Sequence, residues 1–375
     1  MKIAFTAPMK PLDHPVPSGD RTMGRLIVRA LESLGHEVTI ASRFRAWRKE
    51  GSDALQAEVK AEALAEAERI AADWERTGYR PDLFLTYHLY HKAPDWIGPA
   101  LADRFDLSYA IVEASRAPKR QRGDWAFGFA AADVALARAD AVAAIHNADL
   151  DCLAAAVPHR NLSVLLPFLD AGPFLKASTA AKPLAAAPLK LLSVGMMREG
   201  DKTRSYEVLA ATLAELRHQP WHLTIIGDGP MRDHILSLFP PERISFLGAL
   251  EPDALPEHYA RHDLLVWPAI REAFGLVLLE AQAAGLGVVA GDTFGIPDIV
   301  RAGETGLLSP EGDVSALAAN LLRVLQEPEL ADRLGFAARQ HILDFHSLPA
   351  GAARLEALVE KALRNHSSGK ESPDK

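Results

Sequence analysis

Two glutamates, Glu272 and Glu280, flank a glycine in the stretch Arg271-Glu272-Ala273-Phe274-Gly275-Leu276-Val277-Leu278-Leu279-Glu280. Gly275 lets backbone approach a ligand closely. The amides of Phe274, Gly275 and Leu276 would open a helix, where unpaired N–H groups and the positive dipole end suit a phosphate. A carboxylate only accepts hydrogen bonds, so two of them beside a phosphate should grip hydroxyls, as on sugars. A plainer reading makes Glu272 a helix-start charge favoured by the dipole. It fits Glu280 poorly, because Glu280 sits among Leu278, Leu279 and Ala281.

The flanking segments place these groups. Asp263–Trp267 is an apolar run of strand length, stopped by Pro268, which cannot donate to a sheet ladder. Leu276 to Ala284 are good helix formers, Gly285 suits a left-handed cap, and Gly287–Ala290 reads as a buried strand. The unit is βαβ, with its polar loop at the carboxyl edge of a parallel sheet, where ligands bind in open α/β folds.

The pattern Pro268-x3-Glu272-x-Phe274-Gly275-x4-Glu280-Ala281-x2-Ala284-Gly285 resembles the donor-site signature of family 4 retaining glycosyltransferases. Gly227-Asp228-Gly229-Pro230, Phe246-Leu247-Gly248, Gly295-Ile296-Pro297-Asp298 and Gly306-Leu307-Leu308 followed by Asp313 strengthen it. The resemblance is detailed over residues 189–345 and looser before them. It implies a GT-B fold, with two Rossmann-like parallel-sheet domains facing a cleft and a C-terminal helix crossing back to the first domain. It further implies transfer of a sugar, with retention, from a nucleotide-sugar held by the second domain. Glu280 would hold the ribose and Glu272 the transferred sugar. The family pattern places two cations on the donor diphosphate after the strand Leu189–Val194; here Met196 replaces the usual Arg, and Arg198 and Lys202 are the nearest substitutes, with Arg204 in reserve. Fixed positive charge is what a diphosphate leaving group requires. No metal and no separate cofactor are expected, the nucleotide-sugar being a substrate.

The first half departs more from the pattern. Lys2–Ala7 reads as a strand and Asp20–Leu34 as an amphipathic helix. Ser18-Gly19-Asp20-Arg21 lies between them, where the resembling family has a glycine-rich loop facing the donor phosphate or the acceptor. Asp20 replaces the second glycine, so Gly19 and Asp20 are carried as a phosphate or acceptor loop, against a simple N-cap with a turn glycine. Where the family often has a histidine touching the donor sugar, this chain has Glu113, at the end of the strand Tyr109–Val112. Glu113 is a candidate base or hydroxyl holder, and His88 and His91, after the strand Asp82–Tyr87, are candidates for the displaced role. Two basic loops with aromatics, Arg43 to Lys49 and Arg116 to Trp125, suit an anionic or membrane-linked acceptor, or are solvated charge.

Length allows two domains. The expected division is 1–170, a linker at 171–188, 189–347, a crossover helix at 348–364 and a disordered tail from 365. A net charge of −8 argues against nucleic acid as a partner. Cys152 is the lone cysteine, which fits a reducing cytoplasm, at most peripheral to the inner face of the membrane. Two further readings are a GT-B nucleotide-sugar epimerase and a catalytically weak sugar-nucleotide-binding partner protein. The sugar, the base, the acceptor (a glycan, a lipid-linked or a small molecule) and the oligomeric state are not legible.

Overall fold

The computed structural model describes residues 1–16, 18–178, 185 and 187–370. The chain forms two compact units, Met1–Pro167 with the segment from Gly351 onward, and Phe168–Ala350. Each has a six-stranded sheet whose strands all run parallel. The mixed α/β class expected from the sequence is therefore found.

In the first unit β1 (Lys2–Thr6), β2 (Glu37–Ile40), β3 (Leu83–Leu89), β4 (Ser108–Ala114), β5 (Ala141–Ala144) and β6 (Leu162–Val164) are ordered β2-β1-β3-β4-β5-β6. β3 and β4 are apolar and buried almost throughout, as strands covered on both faces must be. The order reverses between β1 and β3, which makes their carboxyl ends the place where an open sheet parts to admit a ligand. Helix Gly19–Ser33 follows β1 and is capped by Ser18, whose Oγ accepts from the Arg21 amide.

In the second unit β7 (Leu189–Val194), β8 (Trp221–Ile226), β9 (Ile244–Phe246), β10 (Leu264–Trp267), β11 (Gly287–Asp292) and β12 (Gly306–Pro310) are ordered β12-β11-β10-β7-β8-β9. The reversal lies between β7 and β10. The loops after β7 and β8 are clamped together: Met197 N donates to Asp228 O and Met231 N to Met197 O. A Cβ on Gly227 would lie 1.9 Å from Gly195 O, and one on Gly229 2.3 Å from Met197 O. These two glycines are demanded by backbone packing.

Two expected boundaries move. Residues 171–188 are not a bare linker: Gly172–Ala177 is a helix whose Phe174 enters the core of the second unit. Residues 179–184 and 186 lie outside the described residues. The last helix does not stop at 364 but runs Leu348–Lys370. Asn365, expected in a disordered tail, donates to Asp140 O and Asn161 Oδ1, and Lys361 donates to Leu162 O. Ser367 and Ser368 are exposed on this helix, and 371–375 lie outside the described residues. Among the described residues no helix is long and apolar enough to cross a membrane.

Candidate functional site

The second unit assembles its site at the β7/β10 reversal. Gly275 is left-handed, at φ 60°, and starts helix Leu276–Ala283. Its missing side chain is needed twice over, because a Cβ would come within 2.8 Å of both Ile296 Cδ1 and Ile299 Cδ1. The amides of Phe274, Gly275 and Leu276 have no protein acceptor among the described residues. The loop before them is contorted: Ala269 and Arg271 are also left-handed, at φ 57° and 49°. Such backbone persists only where its surroundings hold it. Here the Ile270 amide donates to Ser205 Oγ in the helix Asp201–Glu215.

Lys202, in the first turn of that helix, is paired with Glu272 Oε2. Lys202 Nζ also lies over the Trp267 ring, 5.2 Å from its centroid, and the Trp267 indole N–H donates to Glu272 at 3.3 Å. Trp267 is wholly buried at the end of β10, and Tyr206 packs against it edge-on. The pair therefore straddles the reversal point on a rigid aromatic floor. Arg198 is exposed whereas Lys202 is half-buried, so the two expected diphosphate cations are not equivalent. Arg271 reaches Asp201 at 3.7 Å and lies over Phe294.

Glu280 accepts from the hydroxyl of Tyr259 at 2.7 Å. Burial pushes its carboxyl up to about 7, against the Tyr259 hydrogen bond, which acts to lower it. The Tyr259 phenol is pushed well above its ordinary range, by burial first and then by Glu280. Neither Tyr259 nor Trp267 stands out in the sequence. Trp267 sits just before Pro268, and only its indole nitrogen hints at a polar role.

The first unit assembles a second cluster at its own reversal point. His88 and Glu113 fall between the register pairs Tyr87–Val112 and Leu89–Ala114, side by side on β3 and β4. Both are left-handed, at φ 62° and 58°, rare for side chains of this size. His88 Nδ1 lies 3.0 Å from Glu113 Oε1 and 3.2 Å from Asp20 Oδ1. Burial and the Asp20 charge push Glu113 up to about 8, against the attraction of His88. For His88, burial is outweighed by the charges of Glu113 and Asp20, and its pKa rises. For Asp20, burial is outweighed by His88, and its pKa falls.

Asp20 thus points into a site rather than merely starting a helix, while Gly19 is the first residue of that helix. His91 is not part of the cluster. It packs edge-on against Trp125, and burial followed by the charges of Arg120, Lys92 and Lys119 lowers it to about 4. Both basic loops touch Lys92: Arg48 N donates to Lys92 O, and Lys92 Nζ lies over Trp125.

Residues 183–341 match the family model described as Glycosyl transferases group 1. The chain is 36% identical over 156 residues to sulfoquinovosyl transferase SQD2 of Arabidopsis thaliana, covering 41% of this chain and 30% of that one. It is 26% identical over 219 residues to N-acetyl-alpha-D-glucosaminyl L-malate synthase of Bacillus anthracis, covering 57% of each. With a D-inositol 3-phosphate glycosyltransferase of Corynebacterium efficiens it shares 30% identity over 229 residues, 58% of this chain and 53% of that one. The chain spans about half or less of the length of these curated relatives. Among solved structures, sucrose-phosphate synthase from Thermosynechococcus elongatus superposes with a TM-score of 0.73 at 20% identity, covering 96% of this chain and 98% of that one. Anabaena HepE in complex with UDP superposes with a TM-score of 0.70 at 16% identity, covering 96% and 100%. The fold is GT-B.

Proposed function

From the match of residues 183–341 to the family model of glycosyl transferases group 1, we propose a retaining glycosyltransferase whose second unit holds a nucleoside diphosphate sugar without a metal ion. The observation that carries this reading is the Lys202–Glu272 pair, set across the β7/β10 reversal in the unit that also offers the unclaimed amides of Phe274, Gly275 and Leu276.

The chemistry follows from those groups. The diphosphate takes the three amides and draws Lys202 away from Glu272, since a diphosphate carries more charge than one carboxylate. Arg198, exposed beside the same loop, adds a second cation. Glu272, released, accepts from hydroxyls of the transferred sugar. Glu280, steadied by Tyr259, accepts from the ribose. The bond from the anomeric carbon to the phosphate oxygen breaks, and a bond to the acceptor oxygen forms on the same face. The acceptor proton passes to the departing phosphate oxygen. The sugar ring gains positive charge as the bond breaks, and Glu272 stabilises it. In the first unit Glu113, His88 and Asp20 are the groups proposed to meet the acceptor.

The relatives are named for diverse sugars and acceptors, so neither is assigned here; UDP is the first nucleotide to try, because HepE, which shares the fold, is described in complex with it. The test is titration calorimetry with UDP, GDP and ADP, with and without EDTA. Binding of one of them that survives EDTA is expected. Absence of binding by all, or its loss on chelation, overturns the donor half of the reading. Incubation with a nucleotide-sugar alone then separates transfer from epimerisation, since an epimerase converts its donor with no acceptor present.

A further inference from the structure

At the β1/β3 reversal of the first unit, Asp20, His88 and Glu113 each bring one donor atom within 4.8 Å of the other two. His88 Nδ1 is 3.0 Å from Glu113 Oε1 and 3.2 Å from Asp20 Oδ1, and it is buried between them. An imidazole nitrogen and two carboxylate oxygens brought this close are a set that ligands around an ion show. The spacing agrees: donors about 2.1 Å from an ion lie about 3.0 Å apart at octahedral angles and about 3.4 Å apart at tetrahedral ones.

Two buried atoms point the same way. Glu113 Oε2 and the Tyr87 hydroxyl have no hydrogen-bond partner, and their residues are 5% and 1% exposed. The Tyr87 hydroxyl sits in the field of both Glu113 and Asp20. The Tyr87 hydroxyl and Glu113 act on each other without closing a well-formed hydrogen bond, and a buried polar atom left incompletely paired costs about 1–3 kcal/mol. Asp149 adds a further carboxylate within electrostatic range of His88 and Glu113. On the positive side Lys10 acts on Asp20, while its ammonium donates to Ser18 Oγ.

We propose that Asp20, His88 and Glu113 bind a divalent transition-metal ion. One imidazole nitrogen with two carboxylate oxygens suits Mn²⁺ or Zn²⁺ better than the all-oxygen sites of Mg²⁺ and Ca²⁺. Three protein ligands leave positions for water or for a hydroxyl-bearing ligand. The ligands come from three separate segments of the chain, which is why no metal spacing is visible in the sequence and none was expected from it. The inference shares its three residues with the proposed acceptor side of the glycosyl-transfer reading, but not with the donor groups, which lie in the other unit.

The experiment is calorimetry on the full-length, chelator-stripped, nucleotide-free protein, titrated with MnCl₂ and with ZnSO₄. One ion per chain is expected for at least one of the two metals. His88→Ala and Glu113→Gln should each weaken binding by at least about tenfold, since each removes one of three ligands. Asp20→Asn, at the most accessible of the three, should do the same and serves if a variant at the buried pair does not fold; circular dichroism decides that. No stoichiometric binding of either metal, or undiminished binding in the folded variants, overturns the proposal. UDP binding in the same samples is read separately, and its failure counts only against the donor site.

Discussion

At the scale of single residues, the two glutamates of the second unit should fail differently. Glu280 is proposed to hold a ribose that does not change during transfer, so Glu280→Gln should raise KM for the donor more than it lowers kcat. Glu272 is proposed to face a ring whose charge grows in the transition state, so Glu272→Gln should fall mainly on kcat. A hydrogen bond to a charged group is worth about 1.5–3 kcal/mol, so each loss should be on the order of ten- to a hundred-fold. Steady-state kinetics with the donor varied checks this; wild-type values in both variants would make the stretch purely structural. Glu280 carries a stability signature as well. Its folded carboxyl sits near 7, above its ordinary 4.5, so folding favours the neutral acid. That penalty is absent below about pH 4.5, grows as pH rises, and is complete above about pH 7, reaching on the order of 3 kcal/mol. Glu280→Gln should therefore melt higher than wild type at pH 8 and alike at pH 4, while binding nucleotide more weakly. A variant less stable at pH 8 would refute this.

At the scale of elements, the site depends on one backbone position. Gly275→Ala forces a side chain into a left-handed residue and against Ile296 and Ile299. Left-handed strain alone costs about 1–2 kcal/mol, and the clash adds to it. The expected result is a lower denaturant midpoint together with at least tenfold weaker UDP binding by calorimetry. Unchanged affinity would show that the amides of this helix start do not hold the phosphate. The motif glycines are not alike in this respect. Gly227 and Gly229 admit a neighbouring backbone, whereas Gly275 shapes the start of a helix whose amides are free. A pattern of glycines in the sequence cannot separate these two duties, because both need only the missing Cβ.

At the scale of the whole molecule, the last helix is part of the first unit although it follows the second in the chain. Leu355, Leu358, Val359 and Ala362 line its buried face. Leu355→Ala should destabilise the first unit by about 2–5 kcal/mol, as other buried leucine truncations do. UDP affinity should stay within about twofold, since every proposed donor contact lies in the second unit. A large loss of UDP affinity at full folding would mean that the donor site reaches beyond that unit. Differential scanning calorimetry with and without UDP checks both, and UDP at a hundred times its dissociation constant should stabilise its unit by about 2.7 kcal/mol.

Local chemistry determined a good deal. Apolar runs bounded by Pro268 and Gly285 announced a βαβ unit with Gly275 at its helix start, because strand, helix start and cap are each set by a few neighbouring residues. The amphipathic helix after β1 was legible for the same reason. What the sequence left open were pairings at long range. Lys202 and Glu272 are 70 residues apart, and Tyr259 reaches Glu280 from a preceding helix. The helix at Gly172–Ala177 was missed because its short run has no period of its own and owes its order to Phe174 in the core. Asp20, His88 and Glu113 were separate candidates until β1, β3 and β4 were laid side by side. Sheet order alone decides which strand ends are neighbours, and strand order is fixed by the burial of whole elements, which no local pattern encodes.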